Sequence, residues 1–132
     1  MTEYEALRRF VFAQLTAAVA PILVFEDVVP IDQPLPAVIW TATAAEDTDT
    51  QDRRDMTEFS IDVKSIIEGD DVGAALATYA LADAALHGAQ LTYTDHVVQA
   101  YRTQPIHAPA TESGKRYQQE GGRFAVFVRV IN

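Results

Sequence analysis

Apolar residues recur at helical spacing in the opening segment and at every second position in the closing one, so the chain is expected to start in a helix and finish in a strand. The opening stripe is Tyr4, Leu7, Val11, Leu15 and Ala18, with Glu3, Arg9 and Thr16 outside it. Thr2 and Glu5 form a capping-box pair, in which hydroxyl and carboxylate satisfy amide donors of the first turn. Pro21 stops the helix, which is therefore predicted from about Glu3 to Ala20. Ile22 to Phe25 is a short apolar run suited to a strand. Pro30, Pro34 and Pro36 then punctuate a loop before an extended segment, Ala37 to Thr43. The clearest alternation runs from Met56 to Ile66, where Phe59, Ile61 and Val63 interleave with Glu58, Ser60, Asp62 and Lys64. Between these segments Glu46 to Asp55 is wholly polar, which predicts a long acidic hairpin with a mobile tip.

Asp70 or Asp71 is placed to cap a second helix that runs to about His87, with Gly88 where a left-handed residue commonly closes a helix. One face of it carries Val72, Leu76, Tyr79 and Leu86, and the reverse carries Ala74, Ala77, Leu81 and Ala85. Such a helix is poorly dressed for water on either side. Two readings stand: alanine is there as the best helix former, or the second face, with Leu81, meets another subunit. A strand is expected near His96 to Thr103, then a loop from Gln104 to Lys115 with Pro105 and Pro109. Helix, strands, helix, strands in that order favours a single α+β domain over 1–132, with a mainly antiparallel sheet and both helices on one face.

The closing strand carries more information than any other segment. Phe124, Val126, Val128 and Val130 form the face a half-buried strand needs, but Arg123, Phe127, Arg129 and Ile131 share the face that should meet water. Large apolar groups bracketed by arginines point to a partner there. Gly121 and Gly122, just before, are expected to mark a bulge or bend, or a close approach by a neighbouring chain.

Charge and composition narrow the partners. Ten basic and 19 acidic residues give a net charge of −9, unsuited to wrapping a phosphate backbone. DNA is compatible only as cargo passing an acidic lining. No cysteine is present, which excludes disulfides and thiolate metal sites. The longest apolar run, Ala17 to Phe25, is too short for a membrane span and contains Pro21, and the acidic opening residues do not resemble an export signal.

Catalytic chemistry is not assembled. His87, His96 and His107 lack the close helical spacing of metal ligands, and Asp95 and His96, as strand neighbours, should point to opposite faces. Ser113-Gly114-Lys115 fails as a phosphate loop, because Pro109 stands where a glycine is required and Arg116 where Ser or Thr is required. Asp47, Asp49, Asp52 and Asp55 lack the glycine and closing glutamate of a calcium loop. Neither an enzyme nor a cofactor is expected.

Several segments in order resemble the tail-terminator and tail-completion proteins of long-tailed bacteriophages. They are the opening helix with Leu7 and Leu15, Gln33-Pro-Leu-Pro-Ala-Val-Ile-Trp40, Phe59-Ser-Ile-Asp-Val63, Ala85-Leu86-His87-Gly88 and Tyr117-Gln-Gln-Glu-Gly-Gly-Arg-Phe124. The resemblance implies a structural virion protein without a cofactor, made in the host cytoplasm. It would form a homo-oligomeric, hexameric ring at the head-tail junction, ending tube growth and contacting the tail tube protein and a neck or head-completion protein. Leu81, Arg123, Phe127, Arg129 and Ile131 are then the expected subunit contacts. The acidic hairpin, with Asp47, Asp49, Asp52, Arg53 and Arg54, departs from the family pattern and is expected to face the lumen or a partner. Competing readings are another neck or head-completion component, or a small-molecule-binding regulatory α+β dimer, which would need a pocket with converging polar groups.

Overall fold

Thr2 caps the first helix as its sequence requires: its hydroxyl accepts from the Glu5 amide at 3.1 Å, and the Glu5 carboxylate accepts from the Thr2 amide at 3.2 Å. The computed structural model describes residues 1–50, 53–112 and 114–131. Its elements are α1 (Glu3–Val19), β1 (Val24–Glu26), β2 (Ala37–Thr50), β3 (Arg53–Glu68), α2 (Val72–Leu86), β4 (Gln90–Thr92), β5 (His96–His107), β6 (Ala110–Glu112) and β7 (Lys115–Val130). They build one α+β structure. The strands lie in the order β1-β2-β3-β7-β5-β4, with short β6 also paired to β7, and every pairing is antiparallel except β1 with β2.

Both helices cover the same face of this sheet, because their buried side chains and one set of alternate strand residues form a single apolar cluster. Leu7, Phe10, Val11 and Leu15 of α1 and Tyr79, Ala82 and Leu86 of α2 meet Trp40, Ile61, Val63, Val98, Phe124, Val126 and Val128. Trp40 sits at the centre of the β2 contribution, fully buried, edge-on to Phe12 at 5.6 Å between ring centroids. Leu7, Val11 and Leu15 of the predicted α1 stripe are buried, Phe10 and Val19 join them inside, and Tyr4 is 40% exposed. Tyr4 uses that rim position to donate a hydrogen bond to Glu26 of β1, which also accepts from Arg8 at 2.7 Å.

Burial and then the Glu26 contact push the Tyr4 hydroxyl up to about 12. Its folded pKa therefore exceeds its unfolded one, so its contribution to stability is complete below the ordinary tyrosine value and declines as pH rises toward 12. The stability gap between the natural chain and Tyr4→Phe should accordingly be constant between pH 7 and about 9 and shrink by pH 11, as read from denaturant midpoints. A gap unchanged at pH 11 would refute the linkage.

Three strands run further than their side-chain pattern predicts. β2 and β3 continue through residues 46–50 and 53–55, where a loose polar tip was expected. The reason is that a hairpin satisfies its own backbone donors and acceptors whether or not its side chains are buried. A cross-strand bond from the Thr57 hydroxyl to Asp47 at 2.7 Å adds to the ladder. The turn positions 51 and 52 lie outside the described residues. β5 likewise continues through Gln104 and Pro105 to His107 instead of becoming a loop. Proline is tolerated because only β7 pairs with this end of β5, so the lost donor is on an edge.

The glycine pair lies inside an unbroken ladder. Lys64 pairs with Gly121 and Val63 with Gly122, and the register shift falls on the neighbouring strand between Arg102 and Gln104. A Cβ on Gly121 would stand 2.0 Å from the Val63 carbonyl oxygen, and one on Gly122 would stand 2.0 Å from the Tyr79 hydroxyl. Within the protomer, close approach comes from its own β3 and α2. At the end of α2, His87 is the cap residue and Gly88 takes a φ of 78°, as the sequence required.

Candidate functional site

With both helices on one side, the opposite face of the sheet is bare. Strand alternation places Arg123, Phe127 and Arg129 of β7 there, beside Met56, Glu58 and Asp62 of β3 and Val97, Gln99 and Tyr101 of β5. Phe127 is half-buried and meets the Tyr101 ring at 6.4 Å in an edge arrangement. Around them Met56, Val97, Gln99 and Arg129 complete an open hollow of about 340 Å³. Its walls are mostly hydrocarbon, with the exposed Arg129 as its single charge.

Further along the same face the guanidinium of Arg123 grips Asp62 through two bonds, Nε to Oδ1 at 2.8 Å and Nη2 to Oδ2 at 3.3 Å. That hydrogen bond, then the carboxylate charge, raises the Arg123 pKa above its usual value. The two bonds hold both side chains in a fixed geometry on that face. Asp62 also borders a second hollow, about 250 Å³, whose other lining residues include Asp27, Ile39, Thr41, Lys64 and Ile66. Ile131 follows β7, half-buried, its amide bonded to the Asp95 carbonyl at 2.9 Å.

Leu81 is on the other side of the molecule. α2 buries Ala75, Tyr79, Ala82 and Leu86, leaving Leu76 47% and Leu81 53% exposed on a side that otherwise carries alanine and glycine. Leu76 was expected beneath the helix and is found on the exposed side, because α2 packs through its alanines and Tyr79 instead. The structure thus brings Arg123, Phe127 and Arg129 onto one surface and separates Leu81 from them by the thickness of both layers.

The hairpin residues are placed by their backbone pairing and by the bond to Asp47. Asp49 pairs with Arg54 and Thr50 with Arg53 along the ladder, Asp47 accepts from Thr57, and Asp52 lies outside the described residues. Among the described residues no group of histidine, cysteine or carboxylate side chains could hold a metal ion, and no helix is long and apolar enough to cross a membrane. Asp95 and His96 do come together, with Oδ1 2.9 Å from Nδ1, contrary to the alternation argument. Asp95 precedes the strand, where the alternation of side chains does not apply. The imidazole beside it, and then the amino group of Met1, hold the Asp95 carboxyl below its ordinary value. The pair sits at a strand start and lines neither hollow described above. Sequence reasoning missed Tyr101, Met56 and Val97 as neighbours of Phe127, since only the strand order reveals which alternate positions share the bare face.

A small α+β chain with one sheet face left open and a helix side without charge is built as a subunit of an assembly. The sequence profile of the family described as "Tail completion protein gp17" matches residues 6–131, and the chain belongs to that family. It is therefore a structural component of the phage virion tail. No curated protein sequence matches it. Among solved structures, it is similar to a chain from a "Virion of native gene transfer agent (GTA) particle", with 18% identity, a TM-score of 0.69, and coverage of 94% of this chain and 93% of that one. At that identity the likeness concerns the fold.

Proposed function

We propose that this tail completion protein forms a closed homo-oligomeric ring, of six subunits, that caps the head-proximal end of the tail tube, ends its polymerisation and joins the tail to the neck. One observation carries the reading: the open hollow around Phe127 is lined mostly by hydrocarbon, although the chain as a whole is strongly acidic. Aromatic, methionine and arginine side chains are what the centre of a protein–protein contact is enriched in. The tail tube protein and a neck or head-completion protein are the proposed axial partners. The β2–β3 hairpin, which extends past the end of β7, is proposed to face the lumen or one of those partners, with DNA passing as cargo. Its polar composition suits water or a polar surface better than a subunit core.

Phe127→Asp and Leu81→Asp test the reading. Each places a carboxylate on an exposed or half-buried site, so circular dichroism should match the natural chain while native mass measurement shows loss of the ring. A charge buried at a contact without a partner typically costs about 3–5 kcal/mol, enough to lower association by a factor of roughly 100 to 1,000 or more. Intact rings from both variants would overturn the assignment of these two surfaces.

A further inference from the structure

The two surfaces face opposite ways on the protomer, one on α2 and one on the far side of the sheet, so neither can cover the other within a single chain. We infer that they are the two halves of one contact: the exposed side of α2 in one copy docks along the bare sheet face of the next. This rests on the ring reading above and specifies how the ring is joined. The occupant is a second copy of this chain, for three reasons.

The first is charge. With a net charge of −9, copies can approach closely only where acid is sparse. On α2, Leu76, Ala77, Ala80, Leu81 and Ala84 form an exposed strip without a charge, while Asp83 is turned aside to Arg102 at 3.4 Å. In the hollow the lining has one cation and no carboxylate; Glu58 and Glu46 lie beside it, in register with Phe127 across the sheet. The exposed strip therefore brings no charge of its own to the sheet face, where Arg129 is the one cation lining the hollow.

The second reason is length. α2 has 15 residues and so spans about 22 Å. The face from Arg129 to Gly121 covers eight strand steps in β7, about 27 Å. A helix of this size lies along the face with its C-terminal end at Arg129 and its first turns over Gly121. The third reason is relief. Gly121 has no side chain on this face, and the exposed residues of α2 between its two leucines are Ala77 and Ala80, so backbones can approach closely. The two leucines are only about 7.5 Å apart along the helix axis, so Leu81 enters the hollow around Phe127 while Leu76 lies nearer Arg123 and Asp62. A contact that joins unlike patches is head-to-tail and closes only through a ring.

Because the chain has no cysteine, the contact can be mapped directly. Leu81→Cys protein and a size-tagged Gln99→Cys protein are mixed and treated with a short bis-maleimide, alongside each alone, with native mass recorded on every sample. The mixture should give a mixed cross-linked dimer that is lost in both single-variant samples. The double variant should give a ladder that stops at the ring. Cross-linking of Leu81→Cys with itself would mean like patches meet, and overturns the inference. Rings by native mass without a mixed cross-link overturn this contact but leave the ring reading intact. Monomers in every sample, with no cross-link, overturn both.

Discussion

Gly121→Ala should be among the most destabilising single substitutions in the chain, lowering the urea midpoint more than Gly122→Ala does. Its Cβ would lie 2.0 Å from the Val63 carbonyl oxygen and 2.9 Å from the Lys64 Cα, both backbone atoms of the paired strand. Side chains can rotate away from an added methyl; a strand held between β2 and β7 cannot. Relief requires shifting the β3–β7 ladder at the middle of the sheet, and the cost should reach or exceed the upper end for overpacking, about 3 kcal/mol. For a domain of this size that is a large share of a total near 5–15 kcal/mol. Gly122→Ala is the instructive contrast. There the nearest atom is the Tyr79 hydroxyl at 2.0 Å, followed by its Cζ at 3.0 Å and the Gln104 carbonyl oxygen at 3.3 Å. That hydroxyl makes a long 3.4 Å contact with Asp83 and also interacts with the partly exposed Arg102, so Tyr79→Phe alone should cost no more than about 1 kcal/mol. Gly122→Ala should cost about 2 kcal/mol, and adding Tyr79→Phe should recover about half of it. Urea midpoints of the four proteins decide the matter: equal effects of Tyr79→Phe in both backgrounds would show that the hydroxyl is not the obstacle.

The same glycines show what a sequence can and cannot disclose. Their pairing announced an unusual backbone requirement, but whether the intruding atoms belong to the same chain or to a neighbour depends on packing that no local pattern encodes. Elements whose side chains alternate against a core were legible, including α1 with its Thr2 cap, the Phe59–Val63 run and the closing strand. Segments whose pairing is carried by backbone alone were not. The acidic arm of β2 and the Gln104–His107 end of β5 have few apolar residues to reveal them, yet both are in register with a neighbouring strand. On α2 the face with Tyr79 and Leu86 is the buried one, but Leu76, grouped with them by spacing, is exposed, because with so many alanines the border of the apolar face is nearly degenerate. Of the proposed contact surface, the sequence identified Arg123, Phe127 and Arg129 by alternation. It could not supply Met56 or Val97, because their proximity follows from β7 lying between β3 and β5.

Trp40 offers the converse of the surface variants, because it lies on the helix side of the sheet that carries Phe127 on its other side. It is fully buried in β2, with the Phe12 ring edge-on at 79°. Trp40→Ala removes the largest buried side chain and should cost about 3–5 kcal/mol. Trp40→Phe should cost less than half of that. It keeps an aromatic ring against Phe12 and deletes an indole N–H that has no hydrogen-bond partner among the described residues, so part of the lost packing is offset by relief of an unsatisfied donor. Circular dichroism melts are the measure, since this is the sole tryptophan and its fluorescence is lost in both variants. Comparison with Phe127→Asp then separates folding from assembly. Trp40→Ala should melt much earlier and lose the ring only as it unfolds, whereas Phe127→Asp should melt as a folded monomer. If Trp40→Ala loses the ring well below its melting transition, or Phe127→Asp unfolds outright, the division of the sheet into a core-forming side and an assembling side is wrong.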